Sequence, residues 1–371
     1  MNIFWITVRK IGDLCSTTTI ALANGLAKEG HSLTVLGPES PSKPFQNSWK
    51  HIELNQSSLR GLKASSLARA AIKWFKDNRP NKVDAVIIDW QIASKLAPLL
   101  KSFGHPMILM DRSPPADASV LAKLQWREWN KAWKLIEDRT ILQGCVVSEN
   151  HSAFVSERFN VRPSHIRVLP AGVDLNLFKP NNEQKIPDCI RFVYHGRIDK
   201  NRGVFSLPML IQKLNSNGVP SKLTLVGEGD AFSGLEHIAN SFEWMEVHPK
   251  VEHAKIAEIL SKHHIGLLPM PESKVWKIAS PLKRSEYLAS GLLVLGTKHG
   301  GHEVSNSNSA WMKLFPQEEF HHRSVEWLAE FDFNDFSSLS KEARLYAEEH
   351  YSWEHTVMQL IMALHESIKE T

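Results

Sequence analysis

IGLLPMPESKVWKIASPLKRSEYLASGLLVLGTKHGGHEV, Ile265 to Val304, holds the most specific structural signals in the chain. Ile265 to Pro269 is a short apolar run of the kind that forms a buried strand. Ser280 suits an N-cap and Pro281 a first helical residue, so a helix is expected from there to Gly291. Its first turn offers backbone N–H groups with Lys283 beside them, and Glu286 lies about 1.5 turns further on at ~3.6 residues per turn. Leu292 to Leu295 reads as a second strand. Gly300 and Gly301 then make a loop where backbone approaches a ligand closely. Strand, loop, helix, strand and glycine loop form an α/β unit suited to holding an anionic ligand at a helix N-terminus. The plainer alternative is a capped helix between two strands, with Lys283 and Glu286 on a solvated face.

Working outward, the chain of 371 residues exceeds the usual size of one core, so two domains are expected. An apolar content of 42% with 23% charged residues is that of a soluble globular protein. No apolar run approaches the roughly 20 residues that span a bilayer, and Met1 to Val8 leads into a strand instead of a signal peptide, so a cytoplasmic protein is expected. Cys15, Cys145 and Cys189 are widely spaced and odd in number, as suits reduced thiols and neither a disulfide framework nor a zinc site. A net charge of +4 does not point to nucleic acid.

Asn2 to Val8 is an expected strand, followed by a turn at Gly12 and Asp13, a helix from Ser16 to Glu29 closed by Gly30, and a strand at Leu33 to Leu36. This is a βαβ opening of Rossmann type without the G-x-G-x-x-G of a dinucleotide site. Val83 to Ile88 and Met107 to Met110 are further buried strands, each ending in an acid, Asp89 and Asp111. In doubly wound sheets the residues beyond the carboxyl ends of the strands line the ligand crevice, so either acid is a candidate to face an acceptor hydroxyl or to cap a loop. Asp111 is the stronger one, because Arg112-Ser113-Pro114-Pro115 after it is stiff and non-helical.

Two basic helices stand out in this half. Leu59 to Lys76 interleaves Leu62, Leu67, Ala70, Ala71 and Trp74 with Arg60, Lys63, Arg69, Lys73 and Lys76. Leu121 to Arg139 carries Trp126, Trp129 and Trp133 among Lys123, Arg127, Lys131 and Lys134. Indole and cations at helical spacing suit an anionic lipid interface, or else the tryptophans belong to the core and the cations to a solvated face.

The central stretch resembles the donor site of the glycogen-synthase-like glycosyltransferases, a retaining family of GT-B fold in which two Rossmann-like doubly wound domains face across a cleft. Members read P-x-K-x-x-E-Y-x-A-x-G-x-P-V and then G-G-x-x-E. The matching residues here are Pro281, Lys283, Glu286, Tyr287, Ala289, Gly291, Val294, Gly300, Gly301 and Glu303. The resemblance extends along the chain. Pro170, Gly172, Val173, Asp174 and Phe178 match the hinge-side V-x-P-N-G-V-D-x-x-x-F, with Ala171 replacing asparagine. His195-Gly196-Arg197 through Arg202-Gly203 matches G-R-x-x-x-x-K-G, and Ser221 to Gly229, which includes Gly227 and Glu228, matches L-x-I-V-G-x-G. Tyr351-Ser352-Trp353 resembles the family's F-S-W before its last helix.

The resemblance implies an N-terminal acceptor domain over residues 1–178, a donor domain over 179–350, and a last helix, 351–371, crossing back to the first domain. It implies that Arg197, Arg202, Lys283 and the N–H groups near Ser280, Pro281 and Leu282 hold the donor diphosphate. Gly300, Gly301 and Glu303 support it, His195, Gly196, Gly227 and Glu228 line the site, and Glu286 receives ribose hydroxyls. Gly12, Asp13 and Asp89 fall on the acceptor side, with Asp111. As the glycosidic bond breaks, charge grows on the leaving diphosphate, and fixed cations with backbone amides stabilise it, so no metal or other cofactor is expected. The partners implied are a nucleotide-sugar donor and a glycan or lipid-linked acceptor, with the helix at 121–139 as a candidate contact for the inner face of a membrane.

One departure matters. The first of two family glutamates falls at Ile278, and Glu272, six residues away, does not take its role, which points to altered donor handling. The expectation is transfer of a hexosyl group with retention. Its rivals are a nucleotide-sugar epimerase of the same fold, a non-catalytic sugar-nucleotide binder, and a nicotinamide dehydrogenase, the last disfavoured by the missing fingerprint.

Overall fold

The computed structural model describes the chain except residues 14–15, 41–47, 60, 116–119, 182–187, 305–308 and 371. Cys15, Arg60 and most of the boundary stretch expected at 179–187 lie outside the described residues. The chain packs as two compact units, Met1–Pro170 with Trp353–Thr371, and Ala171–Ser352.

The first unit is built on seven parallel strands: β1 (Asn2–Ile6), β2 (Ser32–Pro38), β3 (Lys50–Leu54), β4 (Ala85–Asp89), β5 (Met107–Met110), β6 (Gln143–Val146) and β7 (Ile166–Val168). Their order is β3-β2-β1-β4-β5-β6-β7. The strands are short and apolar because helices cover both faces of a parallel sheet. Between them run α1 (Thr17–Lys28), α2 (Lys63–Asn78), α3 (Trp90–Ser102), α4 (Val120–Glu137) and α5 (Glu149–Phe159). Leu22, Ala23 and Leu26 of α1 join Val357, Leu360 and Leu364 of the chain's final helix in the core on one face. The other core gathers Leu67 and Phe75 of α2, Leu96 of α3, Trp129 and Trp133 of α4 and Val155 of α5.

That second core corrects one expectation. Trp129 and Trp133 are fully buried, and Trp126 and Trp74 pack against the same cluster, so these indoles do not meet lipid headgroups. Burying the aromatic stripe of α4 against the sheet removes far more apolar surface from water than a headgroup contact would. Lys123, Arg127, Lys131 and Lys134 remain on the exposed face. No helix among the described residues is long and apolar enough to cross a membrane.

The second unit repeats the plan with six parallel strands: β8 (Ile190–Arg197), β9 (Ser221–Glu228), β10 (Met245–Pro249), β11 (Ile265–Leu268), β12 (Leu293–Thr297) and β13 (Met312–Phe315). Their order is β10-β9-β8-β11-β12-β13. Its helices are α6 (Ser206–Ser216), α7 (Phe232–Ala239), α8 (His253–Leu260), α9 (Leu282–Ala289), α10 (Phe320–Ala329) and α11 (Phe336–His350). The final helix, α12 (Trp353–Lys369), belongs to the first unit.

Candidate functional site

The site in the second unit is organised by α9, which follows β11 and precedes β12 as the sequence suggests. Every residue from Lys283 to Ala289 is buried, so the alternative of a solvated face for Lys283 and Glu286 is excluded. Ser280 does not cap the helix as expected. Its Oγ accepts from the Ala171 amide at 3.2 Å, and Pro281 occupies the position before the first helical residue, Leu282.

Lys283 lies against the carboxyl end of β8. Its Nζ is 4.8 Å from the Tyr194 ring centroid and 3.6 Å from where a Cβ on Gly196 would stand. Gly196 has φ +107, and a Cβ on Gly227 of β9 would lie 1.7 Å from the Gly196 carbonyl oxygen. The two backbones therefore meet over the lysine in a way only glycine allows. Burial, aided by Arg202 and opposed by Glu286, pushes Lys283 down to about 7. A cation so placed is poised to recover full charge when an anion arrives.

Arg202 lies with its guanidinium 4.8 Å over the Trp276 ring, and its Nε is 3.5 Å from Asp199 Oδ2. Arg197 reaches the same carboxylate through Nε at 3.2 Å and Nη2 at 2.8 Å, and Glu228 Oε1 is 3.7 Å from its Nη1. Burial opposes ionisation of Asp199, but Arg197 and Arg202 outweigh it and hold the carboxyl below its ordinary range. Asp199 is thus a counter-ion shared by both arginines, a role the sequence pattern does not reveal.

Glu286 is clamped by two histidines. His253 Nε2 is 2.7 Å from Oε1, and His195 Nε2 is 3.1 Å from Oε2, the latter a close electrostatic contact instead of an aligned hydrogen bond. Burial alone would raise the Glu286 carboxyl, but His195 and His253 overcome it and hold the group strongly ionised. In return the hydrogen bond to Glu286 raises His253, against the effect of burial. One contact to each oxygen leaves further lone pairs free for ligand hydroxyls.

Arg284 was not foreseen. Its Nη1 donates to the carbonyls of Gly301, His302 and Glu303 at 3.0, 3.1 and 2.7 Å, fixing the loop from Gly300 to Glu303 from beneath. A Cβ on Gly301 would stand 1.8 Å from the Trp276 carbonyl oxygen, so this loop and the turn at Trp276–Ile278 touch backbone to backbone. Ile278 is itself buried, while Glu272 is exposed and paired with Lys277. An open polar depression of about 640 Å³ lies beside this turn, lined by Glu272, Ser273, Lys274, Lys277, Gln317 and Glu318.

The acids of the first unit have a different fate from the one expected. Asp111 is completely buried. Its Oδ2 accepts from Trp129 Nε1 at 2.6 Å and Trp133 Nε1 at 2.8 Å, Oδ1 accepts from the Ser113 amide at 3.1 Å, and His151 Nε2 is 3.3 Å away. Asp89 accepts from Trp5 Nε1, Thr7 Oγ1 and the Val8 amide at 3.2, 2.7 and 3.0 Å. Burial raises the Asp89 pKa, with the hydrogen bond from Thr7, the charge of Arg9 and the hydrogen bonds from Val8 and Trp5 partly offsetting it. Both carboxylates are buried inside the unit as polar anchors of core tryptophans, which withdraws them from the surface where an acceptor would be met. Gly12 and Asp13 are exposed in a turn whose geometry is set by Ser16: its Oγ accepts from the Gly12 amide at 3.0 Å and donates to the Asp13 carbonyl at 2.6 Å.

The family model Glycosyltransferase Family 4 matches residues 16–177. The N-terminal unit is a family 4 glycosyltransferase domain. Among solved structures, sucrose-phosphate synthase from Thermosynechococcus elongatus superposes with a TM-score of 0.80 at 17% identity, covering 100% of both chains. HepE from Anabaena in complex with UDP gives 0.71 at 12% identity, covering 98% of this chain and 99% of its own. The catalytic domain of starch synthase IV from Arabidopsis thaliana, bound to ADP and acarbose, gives 0.72 at 10% identity, with 100% and 99% covered. These likenesses establish the two-unit GT-B fold over the whole length. The expected kinship with the glycogen-synthase-like glycosyltransferases holds. No curated protein matches the sequence.

Proposed function

We propose that this glycosyltransferase moves a hexosyl group from a nucleotide-diphosphate sugar, with retention of configuration, to a glycan or lipid-linked acceptor. The observation that carries the reading is the buried cation Lys283, under the Gly196–Gly227 crossing and within the field of Arg202, with the ionised Glu286 one turn further along α9. Lys283, Arg202 and the amides opening α9 would take the diphosphate and stabilise the charge that grows on it as the glycosidic bond breaks. Glu286, held by His195 and His253, would accept from the ribose hydroxyls. The leaving diphosphate, on the same face as the incoming acceptor, would assist its deprotonation, so no pair of flanking carboxylates is required. The loss of both aspartates of the first unit as free groups fits that scheme.

Thermal unfolding of the purified protein with UDP-, GDP- and ADP-sugars, beside Glu286→Ala, tests the reading. A ligand at about 100 times its dissociation constant stabilises by roughly 2.7 kcal/mol. One nucleotide class should shift the wild type and not the variant, and acceptor-dependent release of that nucleotide should follow. Absence of a shift with every donor would remove the reading. Binding without turnover would favour the non-catalytic binder suggested by Ile278. The four cations on the exposed face of α4 support an anionic membrane surface as the place where a lipid-linked acceptor is met. Failure to sediment with anionic liposomes at low salt would discard that part.

A further inference from the structure

With Asp89 and Asp111 committed to the interior, the carboxyl edge of the first sheet is left with positive charge. The strand order places β4 between β1 and β5. Arg9 follows β1 and Arg112 follows β5, so the two arginines flank Asp89 at the end of β4, on the rim where doubly wound sheets bind ligands. Neither makes an ion pair among the described residues. Arg112 is partly buried and donates through Nη1 to the Leu169 carbonyl at 2.7 Å, one of its five N–H donors. Among the described residues no carboxylate lies within ion-pair distance of either guanidinium; Arg9 acts on Asp89, and Asp111 on Arg112, only at longer range. Asp89 and Asp111 feel these charges, but both carboxylates are buried and face tryptophan, threonine and amide donors. Burial pushes Arg112 down to about 10, with repulsion from Arg9 adding to the shift and Cys145 and Asp111 opposing it, so Arg112 stays charged at neutral pH. The loop that carries Arg112 is held in place independently, by Trp90 Nε1 donating to the Ser113 carbonyl at 3.0 Å.

We propose that Arg9 and Arg112 form an oxyanion site for a phosphate group carried by the acceptor, which makes the acceptor a phosphorylated molecule. Planar guanidinium forks match phosphate oxygens two at a time, and an arriving dianion converts the repulsion between two like charges into attraction. The word acceptor rests on the glycosyl-transfer reading above; the anion site does not.

The test is titration of the full-length protein with inorganic phosphate at low ionic strength, followed by calorimetry and by the unfolding temperature, with chloride at matched ionic strength as control. Because the donor site also attracts phosphate, the comparison is made in an Arg202→Gln, Lys283→Met background, with and without Arg9→Gln and Arg112→Gln. Phosphate affinity should fall at least ~10-fold when the two arginines are replaced, the loss expected for charge-assisted contacts worth over about 1.4 kcal/mol. Without phosphate, the glutamine variants are expected to unfold somewhat earlier, because Arg112→Gln gives up the hydrogen bond to the Leu169 carbonyl, so the quantity compared is the phosphate-dependent rise in unfolding temperature above each protein's own baseline. Equal phosphate binding and an equal phosphate-dependent rise in both proteins, or none in either, would overturn the proposal. A hexose phosphate and vesicles containing phosphatidic acid, run as separate arms, distinguish a soluble phosphorylated sugar from a lipid-borne phosphate; binding of either that needs both arginines supports the site. Nucleotide-sugar binding by the Arg9→Gln, Arg112→Gln protein with Arg202 and Lys283 intact reports on the donor reading separately. Its absence from the wild type too would defeat that reading and leave the anion site standing.

Discussion

Raising the pH from 7 to 9 should weaken nucleoside diphosphate binding about 50-fold, and the dependence should reside in one residue. Lys283 is buried, and burial together with Arg202 holds it at about 7, so near neutrality a large part of the free protein carries it uncharged. A diphosphate at the start of α9 brings negative charge to within reach of Nζ and returns the lysine toward its ordinary value of ~10.4. The complex therefore holds more protons than the free protein between those two values, and affinity must fall as pH rises through the window. With a free value of about 7 and a bound value above 9, the free protein must take up a proton in proportion to one plus ten to the power of pH minus 7. That factor is about 2 at pH 7 and about 100 at pH 9, a loss of roughly 2.3 kcal/mol. Calorimetry in two buffers of different ionisation enthalpy reads the proton directly, with uptake of about half a proton at pH 7 and about 0.9 at pH 8. Lys283→Met should bind more weakly at pH 7 and show no such slope, and a nucleoside without phosphates should show none with either protein. A flat profile from pH 7 to 9, or a slope that survives in Lys283→Met, would refute the assignment of the phosphate site to Lys283.

Three further outcomes follow from the packing. Asp111→Asn should lower stability by about 2–4 kcal/mol in denaturant titration, because an amide cannot accept from two indole N–H groups with the strength of a carboxylate in a dry core; loss of activity with unchanged stability would instead restore Asp111 as a reacting group. Gly301→Ala should cost more than about 2 kcal/mol and abolish the nucleotide-induced rise in unfolding temperature, since the new Cβ meets the Trp276 carbonyl and the loop above Arg284 must move. His253→Ala should destabilise by about 1 kcal/mol, discounted for a ring that is half exposed, and more at pH 6 than at pH 9. The sign follows from the raised pKa of His253, whose pairing with Glu286 is fully present below the unfolded value near 6.5 and lost as pH rises through the folded one; an equal loss at both pH values would show that the charge on His253 plays no part.

Much of the second unit was readable because its signals are local. Strand runs such as Ile265–Leu268, the proline that opens α9 and the glycine at 291 that closes it act through the backbone of their own neighbours, and they survive without knowledge of the rest of the chain. The spacing of Lys283 and Glu286 on one short helix was legible for the same reason. Their burial was not, since an eight-residue helix with three charged residues reads as a surface element until β11, β12 and the helices around them close over it. Arg284 illustrates the limit well. It stands between two residues singled out by their motif, yet its task of holding three carbonyls at Gly301–Glu303 depends on a loop 17 to 19 positions away. His253 has no motif at all and meets Glu286 only because α8 and α9 pack on the same sheet.

By itself, then, the sequence determined the parallel α/β architecture and the position of the donor-binding block, since alternating apolar runs and helix stops are properties of consecutive residues. The fate of individual polar groups was decided by the tertiary structure alone. An indole stripe beside lysines has the same helical period whether its tryptophans face lipid or core, and an aspartate at a strand end has the same place in the chain whether it meets a ligand or a tryptophan. Trp129 and Trp133 turned inward onto the sheet and carried their N–H groups to Asp111, because buried donors must find acceptors. That withdrew the acid from the surface and left Arg9 and Arg112 as the charged groups at the rim.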